Sequence, residues 1–242
     1  MCSIQLVVFD LAGTTIQDNN DVAKCLYRAA QDVGIVAELD LIARNIGTNK
    51  IHLYQYLIEL SQGRAEKLED LEQGTRDAKT LELSMKAFRL YEQYMIDHYQ
   101  HHAVEVEGTS DVFRWLRDRG IRIATDTGFH HNVNEAIMEH TGWLRDGLVD
   151  IAVDVQHIPG DRGRPAPYMI FRSMERTEVD DIHQILVAGD TVLDLMAAYH
   201  AGALYRVGVT SGAHSRSRLM EGPYTHILSS VANLPQLIEE GL

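Results

Sequence analysis

Carboxylates follow two largely apolar runs of this sequence, at points where buried strands would end. Asp10 comes directly after residues 4–9, and Asp190 comes shortly after residues 185–188, with Asp194 four residues further on. In α/β proteins, the carboxyl ends of parallel strands form the edge at which ligands bind. A carboxylate there can attack phosphorus as a nucleophile, and several carboxylate oxygens together suit Mg²⁺. The pattern therefore indicates phosphoryl chemistry with Mg²⁺ as the cofactor.

Two other segments carry groups that suit a phosphoryl oxygen. Thr127 and Gly128 follow a predicted strand, and Arg164 stands between a glycine and a proline just before a predicted helix. A permanent guanidinium charge on a proline-stiffened loop can neutralise a phosphoryl group and a nearby carboxylate. Structural interpretations stay open for each position. A threonine can start a turn, the arginine can stay in solvent, and Asp190 can cap a helix that carries Asp194 on its surface.

Strand and helix patterns alternate through the second half of the chain. Strands are predicted at residues 4–9, 121–125, 151–153, 185–188, 204–209 and 227–228, the last as an edge. Helices are predicted at residues 132–140, after Pro167 and at residues 193–200. Such alternation builds a parallel sheet with helices on both faces. We therefore predict the α/β class, with a doubly wound, Rossmann-like sheet in which the strand before Asp10 is central.

Residues 20–102 carry a different pattern. Apolar side chains recur there at helical spacing, and strand signals are few. We predict that residues 17–103 form a helical cap inserted into a core made of residues 1–16 and 104–242. Within the cap, residues 61–76 are polar and contain two glycines, which favours a loop or a short helix.

Composition narrows the partners that we expect. The 242 residues carry a formal charge of −13 and no basic run, which argues against binding to nucleic acid. No apolar run approaches the roughly 20 residues that span a bilayer. Two cysteines and the lack of a signal-peptide pattern indicate a reduced, cytoplasmic protein. The expected partner is a small molecule, with neither nucleic acid nor membrane involved.

Four short motifs occur in a fixed order along the chain. They are Asp10-x-x-Gly13-Thr14, Thr127-Gly128, Gly163-Arg164-Pro165 and Gly189-Asp190-x-x-x-Asp194. In this order they resemble the motifs of the haloacid dehalogenase-like hydrolases. The resemblance implies that Asp10 is a nucleophile that forms an aspartyl-phosphate. It also implies the following ligands: Mg²⁺ held by Asp10, the carbonyl of Ala12, Asp190 and Asp194, and the phosphoryl group held by Thr14, Thr127, Gly128 and Arg164.

Ala12 and Lys50 point to one branch of that superfamily. Ala12 stands where the common motif has a second aspartate, the acid that protonates a leaving oxygen. An alanine there resembles the phosphonatases, which cleave a carbon–phosphorus bond. The segment Gly47-x-x-Lys50 resembles the phosphonatase cap, whose lysine forms an imine with phosphonoacetaldehyde. The imine accepts the electrons of the breaking bond. The resemblance implies that Lys50 is catalytic, that Gly47 and Ala12 contact the substrate, and that two chains pair through their caps.

Two other functions remain open from the sequence. Phosphonatases have a histidine three residues after the lysine, whereas this chain has Leu53 there and His52 one position earlier. A small phosphate-monoester phosphatase, in which Lys50 binds substrate charge, is therefore one alternative. A phosphate-binding or regulatory protein without catalysis is the other.

Histidines cluster at two further places. We interpret His98, His101 and His102 as residues that interact with a helix carboxyl end rather than as metal ligands. His130 and His131 are interpreted as a solvated helix start, with the mouth of the active site as the alternative.

Overall fold

The computed structural model describes residues 4–46, 48–68, 71 and 77–241. The chain divides into two compact units. The first comprises Met1–Asp18 and Tyr99–Leu242, and the second comprises Asn19–His98.

Six parallel strands form the sheet of the first unit in the part of the chain that the structure describes. They are β1 (Leu6–Asp10), β2 (Arg122–Thr127), β3 (Ile151–Asp154), β4 (Ile185–Gly189), β5 (Tyr205–Val209) and β6 (His226–Leu228). Their order across the sheet is β3-β2-β1-β4-β5-β6. The prediction of a doubly wound parallel sheet with a central first strand is therefore confirmed.

Helices connect the strands and make up the second unit. They are α1 (Asp21–Asp32), α2 (Leu39–Arg44), α3 (Lys50–Ser61), α4 (Ala78–His102), α5 (Thr109–Arg117), α6 (His131–Thr141), α7 (Tyr168–Thr177), α8 (Val192–Ala201), α9 (Arg216–Leu219) and α10 (Leu234–Glu239). Among the described residues, no helix is both long and apolar enough to cross a membrane.

Both faces of β1 are covered, which follows from its continuous apolar sequence. Leu6 and Val8 pack in a cluster with Ile170 of α7 and Ala197 of α8. Phe9, which points to the opposite face, lies with its ring centroid 5.2 Å from that of Phe113 in α5. A strand buried on both faces is typical of parallel sheets. The backbone of Asp10 is thereby fixed at the end of a rigid central strand.

The strand register determines which polar residues meet at the carboxyl edge of the sheet. Asp10 in β1 pairs with Asp126 in β2, and Thr127 pairs with Asp154 in β3. On the other side of β1, Phe9 pairs with Ala188 of β4. Asp190 follows β4 by one residue and therefore lies at the same edge.

The second unit consists of α1, α2, α3 and most of α4. The hydroxyl of Tyr54 in α3 donates to the Leu26 carbonyl of α1 at 3.1 Å, and both residues are fully buried. After α3 the chain turns, and the predicted loop or short helix of residues 61–76 falls partly outside the described residues.

Candidate active site

The loop after β1 is held tightly against the strand. The hydroxyl of Thr15 donates to the Asp10 carbonyl at 2.8 Å, and Gly13 has a φ of 87°, which glycine adopts without strain. The Thr14 side chain is fully buried, and its hydroxyl has no hydrogen-bond partner among the residues the structure describes. This loop thus holds the backbone of Asp10 and leaves one buried hydroxyl that a ligand oxygen could contact.

Arg164 lies among three buried carboxylates. Its Nη1 donates to Asp10 Oδ1 at 2.7 Å, and its Nη2 donates both to the Asp126 carbonyl oxygen at 2.9 Å and to Asp126 Oδ1. Its Nε lies 2.8 Å from Asp194 Oδ1. The arginine side chain is only 12% exposed, so these charges interact in a poorly hydrated environment. The structural alternative, in which Arg164 is a solvated loop residue, is therefore wrong, and its phosphoryl-binding role stays a prediction.

Asp126 was not identified from the sequence. It is 2% exposed and carries the side chain that contacts Arg164 from β2. The predicted strand ended at residue 125, whereas β2 continues to Thr127 and carries Asp126 into the sheet. The sequence offered one signal, an aspartate immediately before Thr127-Gly128. That Asp126 lies beside Asp10 is known only from the register of β1 and β2.

Asp190 lies between two glycine-containing loops. A Cβ atom built on Gly13 would lie 2.4 Å from Asp190 Oδ2, and one on Gly212 would lie 2.1 Å from the same oxygen. The backbone amide of Ala213 donates to this oxygen at 2.6 Å. The Ser211 hydroxyl also donates to the Gly13 carbonyl at 2.7 Å, which joins the two loops. Both glycines are thus needed for Asp190 to reach the loop that follows Asp10.

Asp194 has structural partners on both of its oxygens. Its Oδ2 accepts from the Thr191 amide at 2.9 Å and from the Thr191 hydroxyl at 2.5 Å, which caps the start of α8. Its Oδ1 forms the ion pair with Arg164, although without the alignment of a hydrogen bond. Asp194 therefore orients Arg164 and starts the helix, and its part in holding Mg²⁺ stays a prediction.

Burial raises the pKa of three carboxyl groups in this site, those of Asp10, Asp126 and Asp190. Burial raises the pKa of Asp10 to about 7; Arg164 opposes this shift, and Asp194 and Asp126 add to it. Burial, followed by repulsion from Asp10 and Asp194, also raises the pKa of Asp190 well above its usual range. Burial lowers the pKa of Arg164, but the three carboxylates around it raise the pKa by more than burial lowers it. The guanidinium therefore stays charged.

A divalent cation fits this charge distribution. Four carboxyl groups, those of Asp10, Asp126, Asp190 and Asp194, are at most 6% exposed, and three of them contact the Arg164 guanidinium. A bound cation would stabilise the ionised forms of Asp10 and Asp190, which burial disfavours. Carboxylate and carbonyl oxygens are the donors that Mg²⁺ prefers. The oxygens of Asp10, Asp190 and the Ala12 carbonyl could provide them.

Thr127 and Gly128 lie at the end of β2. Thr127 is 3% exposed, and its hydroxyl accepts from the Phe129 amide at 3.2 Å, which forms a short turn. Gly128 is exposed, and a Cβ atom there would meet nothing within 4 Å. The turn interpretation of Thr127 is confirmed, and the phosphoryl-binding roles of both residues stay predictions.

Lys50 lies in the second unit, at the first position of α3. Asn49 caps this helix, because its side chain accepts from the amides of Ile51 and His52 at 3.0 and 3.1 Å. The Lys50 Nζ donates to the Thr48 carbonyl at 3.1 Å. Gly47, the other predicted cap residue, lies outside the described residues.

Comparisons with known proteins agree with this geometry. The sequence profile of the haloacid dehalogenase-like hydrolases matches residues 4–202. The chain is 25% identical over 244 residues to a phosphonoacetaldehyde hydrolase from Latilactobacillus sakei subsp. sakei, and the match covers 99% of this chain and 89% of that protein.

Solved structures share the fold at low identity. A phosphonoacetaldehyde hydrolase like protein from Oleispira antarctica matches with a TM-score of 0.80 and 18% identity, over 98% of this chain and 92% of that one. A predicted phosphoglycolate phosphatase from Haemophilus somnus 129pt matches with a TM-score of 0.76 and 20% identity, over 97% and 98% of the two chains. The matched profile covers most of the sequence, so this chain is an enzyme that belongs to the haloacid dehalogenase-like hydrolase family.

Proposed function

We propose that this enzyme is a Mg²⁺-dependent hydrolase that cleaves the carbon–phosphorus bond of phosphonoacetaldehyde or a closely related phosphonate. Asp10 would be the nucleophile, and Arg164, Thr14, Thr127 and the amide of Gly128 would bind the phosphoryl oxygens. When bound by Asp10, Asp190 and the Ala12 carbonyl, Mg²⁺ would supply positive charge at the phosphoryl group.

The single observation that carries this proposal is the environment of Asp10. Its Oδ1 is held 2.7 Å from Arg164 Nη1, and Ala12, two residues later, has no acidic group. A nucleophilic carboxylate beside a fixed guanidinium suits attack on phosphorus. A substrate whose leaving group is carbon has no leaving oxygen to protonate, so an alanine at position 12 is chemically sufficient.

Lys50 would activate the substrate before phosphorus is attacked. Its neutral amine would add to the aldehyde, and loss of water with uptake of one proton from solvent would give a protonated imine. Asp10 then attacks phosphorus, and the two electrons of the carbon–phosphorus bond pass into the imine and form an enamine. Protonation at carbon and hydrolysis would release acetaldehyde and free Lys50. Attack of water on the aspartyl-phosphate would release phosphate and restore Asp10.

We further propose that the helical second unit acts as a cap during this reaction. Water could hydrolyse the protonated imine before the carbon–phosphorus bond breaks, so a site that excludes solvent during this step would favour productive cleavage. Pairing of two chains through this unit is proposed from the family resemblance alone.

The direct test measures phosphate release from phosphonoacetaldehyde with Mg²⁺, with and without borohydride, followed by mass spectrometry of the peptide that contains Lys50. Borohydride reduces an imine to a stable secondary amine, so we expect turnover without it and a covalent adduct on Lys50 with it. Turnover without any adduct on Lys50 would contradict the imine step.

A second candidate function is hydrolysis of small phosphate monoesters. The observation that favours it is Leu53, which is fully buried at the position where phosphonatases have a histidine, while the neighbouring His52 is exposed. A buried leucine cannot take part in proton transfer. In this case Lys50 would bind the charge of the substrate and would not form a covalent bond.

Replacing Lys50 by arginine separates the two functions. Lys50→Arg keeps the positive charge but cannot form the imine, so phosphonate cleavage should fall by at least about 10³-fold, whereas monoester hydrolysis should change little. The matched control is Lys24→Arg in α1 of the same unit, whose Nζ contacts the Asn19 carbonyl and the Asp21 carboxylate. An equal loss of phosphonate cleavage in Lys50→Arg and Lys24→Arg would contradict a specific role for Lys50.

A further inference from the structure

A second cluster of possible metal ligands lies in the first unit. His131, Asp154 and His157 each offer one ligand atom, and these three atoms lie within 4.8 Å of one another. His131 Nδ1 lies 3.2 Å from Asp154 Oδ2, and His157 Nδ1 lies 3.0 Å from Asp154 Oδ1. His157 Nδ1 also accepts from the Asp154 amide at 3.1 Å, a hydrogen bond that a metal–nitrogen bond at this atom would replace. The donor atoms around one tetrahedral Zn²⁺ are about 3.4 Å apart, because metal–ligand bonds are about 2.0–2.2 Å long. The side chains are therefore close to the spacing that a single ion requires.

Three different segments bring these side chains together. His131 is the first residue of α6, Asp154 is the last residue of β3, and His157 ends the short 3-10 helix Val155–His157. Asp154 is fully buried, whereas the side chains of the two histidines are 57% and 39% exposed. A buried carboxylate flanked by two accessible imidazoles allows an ion to enter from solvent without unfolding the site.

Asn134 gives independent support for a ligand at this place. It is 3% exposed, and its Nδ2 donates to Asp154 Oδ2 at 3.3 Å, which orients the carboxylate. Its Oδ1 has no hydrogen-bond partner among the described residues. A buried amide oxygen without a partner costs free energy unless a cation or a water molecule contacts it.

A cavity of about 500 Å³ adjoins the cluster. His131, Asn134 and His157 line it together with the acidic side chains of Glu135 and Glu139. The two glutamates outnumber Arg145, the cationic side chain that also lines the cavity, so the charged lining is net negative and favours a cation. The cavity also leaves room for water or a small ligand to complete the coordination of an ion held by three side chains.

We propose that His131, Asp154 and His157 form a binding site for a first-row transition metal ion, with Zn²⁺ as the best fit. Imidazole nitrogens suit Zn²⁺, whereas Mg²⁺ binds oxygen donors almost exclusively. The site is therefore chemically distinct from the oxygen-rich group around Asp10. Asn134 acts as a positioning residue that holds the carboxylate. A bound ion would connect α6 to the end of β3. It would thereby restrain the loop between Thr127 and the start of α6.

The test is a calorimetric titration of the full chain with ZnCl₂ in the presence of saturating MgCl₂, which keeps the oxygen-rich site filled. We expect one Zn²⁺ per chain, and a weakening of at least about 10-fold in His131→Gln and in His157→Gln. Both side chains are partly exposed, and glutamine can replace their hydrogen bonds, so the variants should fold. Titration with Co²⁺ gives a second readout, because imidazole-containing tetrahedral sites absorb visible light far more strongly than octahedral oxygen sites.

The matched control is the double variant His101→Gln/His102→Gln. These two histidines are adjacent and exposed at the end of α4, with ring centroids 6.3 Å apart, and they report non-specific binding by surface histidines. Loss of the Zn²⁺ equivalent in the His131 and His157 variants, with its retention in the control, would support the proposal. Unchanged binding in His131→Gln and His157→Gln, or no binding by the unmodified chain, would overturn it.

Discussion

The raised pKa of Asp10 makes the stability of the metal-free protein depend on this side chain. Burial, aided by Asp194 and Asp126 and opposed by Arg164, moves the pKa from its ordinary value of 3.8 to about 7. Each tenfold change in proton affinity is worth about 1.4 kcal/mol, so ionised Asp10 destabilises the folded state by about 4 kcal/mol at pH 8. The variant Asp10→Asn removes this charge and keeps the size and shape of the side chain.

We expect Asp10→Asn to be inactive and yet more stable than the unmodified protein at pH 8 in EDTA. The gain should be about 2 kcal/mol or more, which corresponds to a Tm increase of about 4–8 °C for a chain of this length. The amide cannot recover the full 4 kcal/mol because its hydrogen bond to Arg164 is weaker than that of a carboxylate.

The stability gain of Asp10→Asn should depend on pH and on Mg²⁺ in a defined direction. The penalty is complete above pH 7, where Asp10 is ionised in both the folded and the unfolded state. It shrinks as the pH falls from about 7 towards 4, because the folded protein then binds a proton that the unfolded chain does not. Added Mg²⁺ should stabilise the unmodified protein more than the variant, which lacks the charged oxygen.

Urea unfolding followed by tryptophan fluorescence at pH 8 and pH 5, with EDTA or Mg²⁺, measures these differences. The control is Asp111→Asn in α5, whose side chain is 85% exposed and which should change the free energy of unfolding by less than about 1 kcal/mol. An Asp10→Asn variant that is less stable at pH 8 in EDTA, or a gain of the same size at pH 5, would refute the reasoning.

Two further substitutions probe the same site. Arg164→Met leaves the carboxylates around it without their cation and should lower the free energy of unfolding by about 3–5 kcal/mol at pH 8, measured with urea. Arg162→Met is its control, because this neighbouring arginine is exposed and contacts the side chain of Tyr168. An equal loss of stability in the two variants would contradict the prediction. Gly212→Ala places a Cβ atom 2.1 Å from Asp190 Oδ2, so the Mg²⁺ concentration for half-maximal activity should rise at least about tenfold. An unchanged Mg²⁺ requirement would show that Asp190 does not hold the metal.

Much of the sheet could be predicted because each strand is a short apolar run with a turn or helix signal after it. The carboxyl end of β2 is an exception, because the predicted strand was two residues too short. Asp126 and Thr127 are polar, so the strand was ended at residue 125, yet both are buried in β2 because Arg164 and the neighbouring strand provide partners. A strand boundary that depends on a residue 38 positions away cannot be found from local pattern.

Three described helices of the first unit, α5, α9 and α10, were not predicted, and α9 is only four residues long. In α5, the buried Val112, Phe113 and Leu116 show helical spacing, so the signal was present in the sequence. In α10, only Leu234 is buried, and the element is six residues long with little periodicity to detect.

The shared location of Asp10, Thr127 and Asp190 could be predicted because each lies at or just after the end of a strand, and parallel strands end at one edge. The contacts among the site residues could not be predicted. The approach of Gly13 and Gly212 to Asp190 depends on how two loops pack, and sequence spacing does not encode that distance. The contact of His131 with Asp154 could not be predicted either, because it depends on the register of β2 and β3, which places Asp154 beside Thr127.

The central position of β1 sets the order in which the chain can fold during synthesis. β1 is made first, but its neighbours β2 and β4 begin only at Arg122 and Ile185. Asn19–His98 is continuous in sequence and can fold on its own contacts meanwhile. The pairing of β1 with β4 closes a very long loop and must come late. A nascent chain that ends before β4 therefore exposes one edge of an apolar strand and also lacks Asp190, so core and site become complete together.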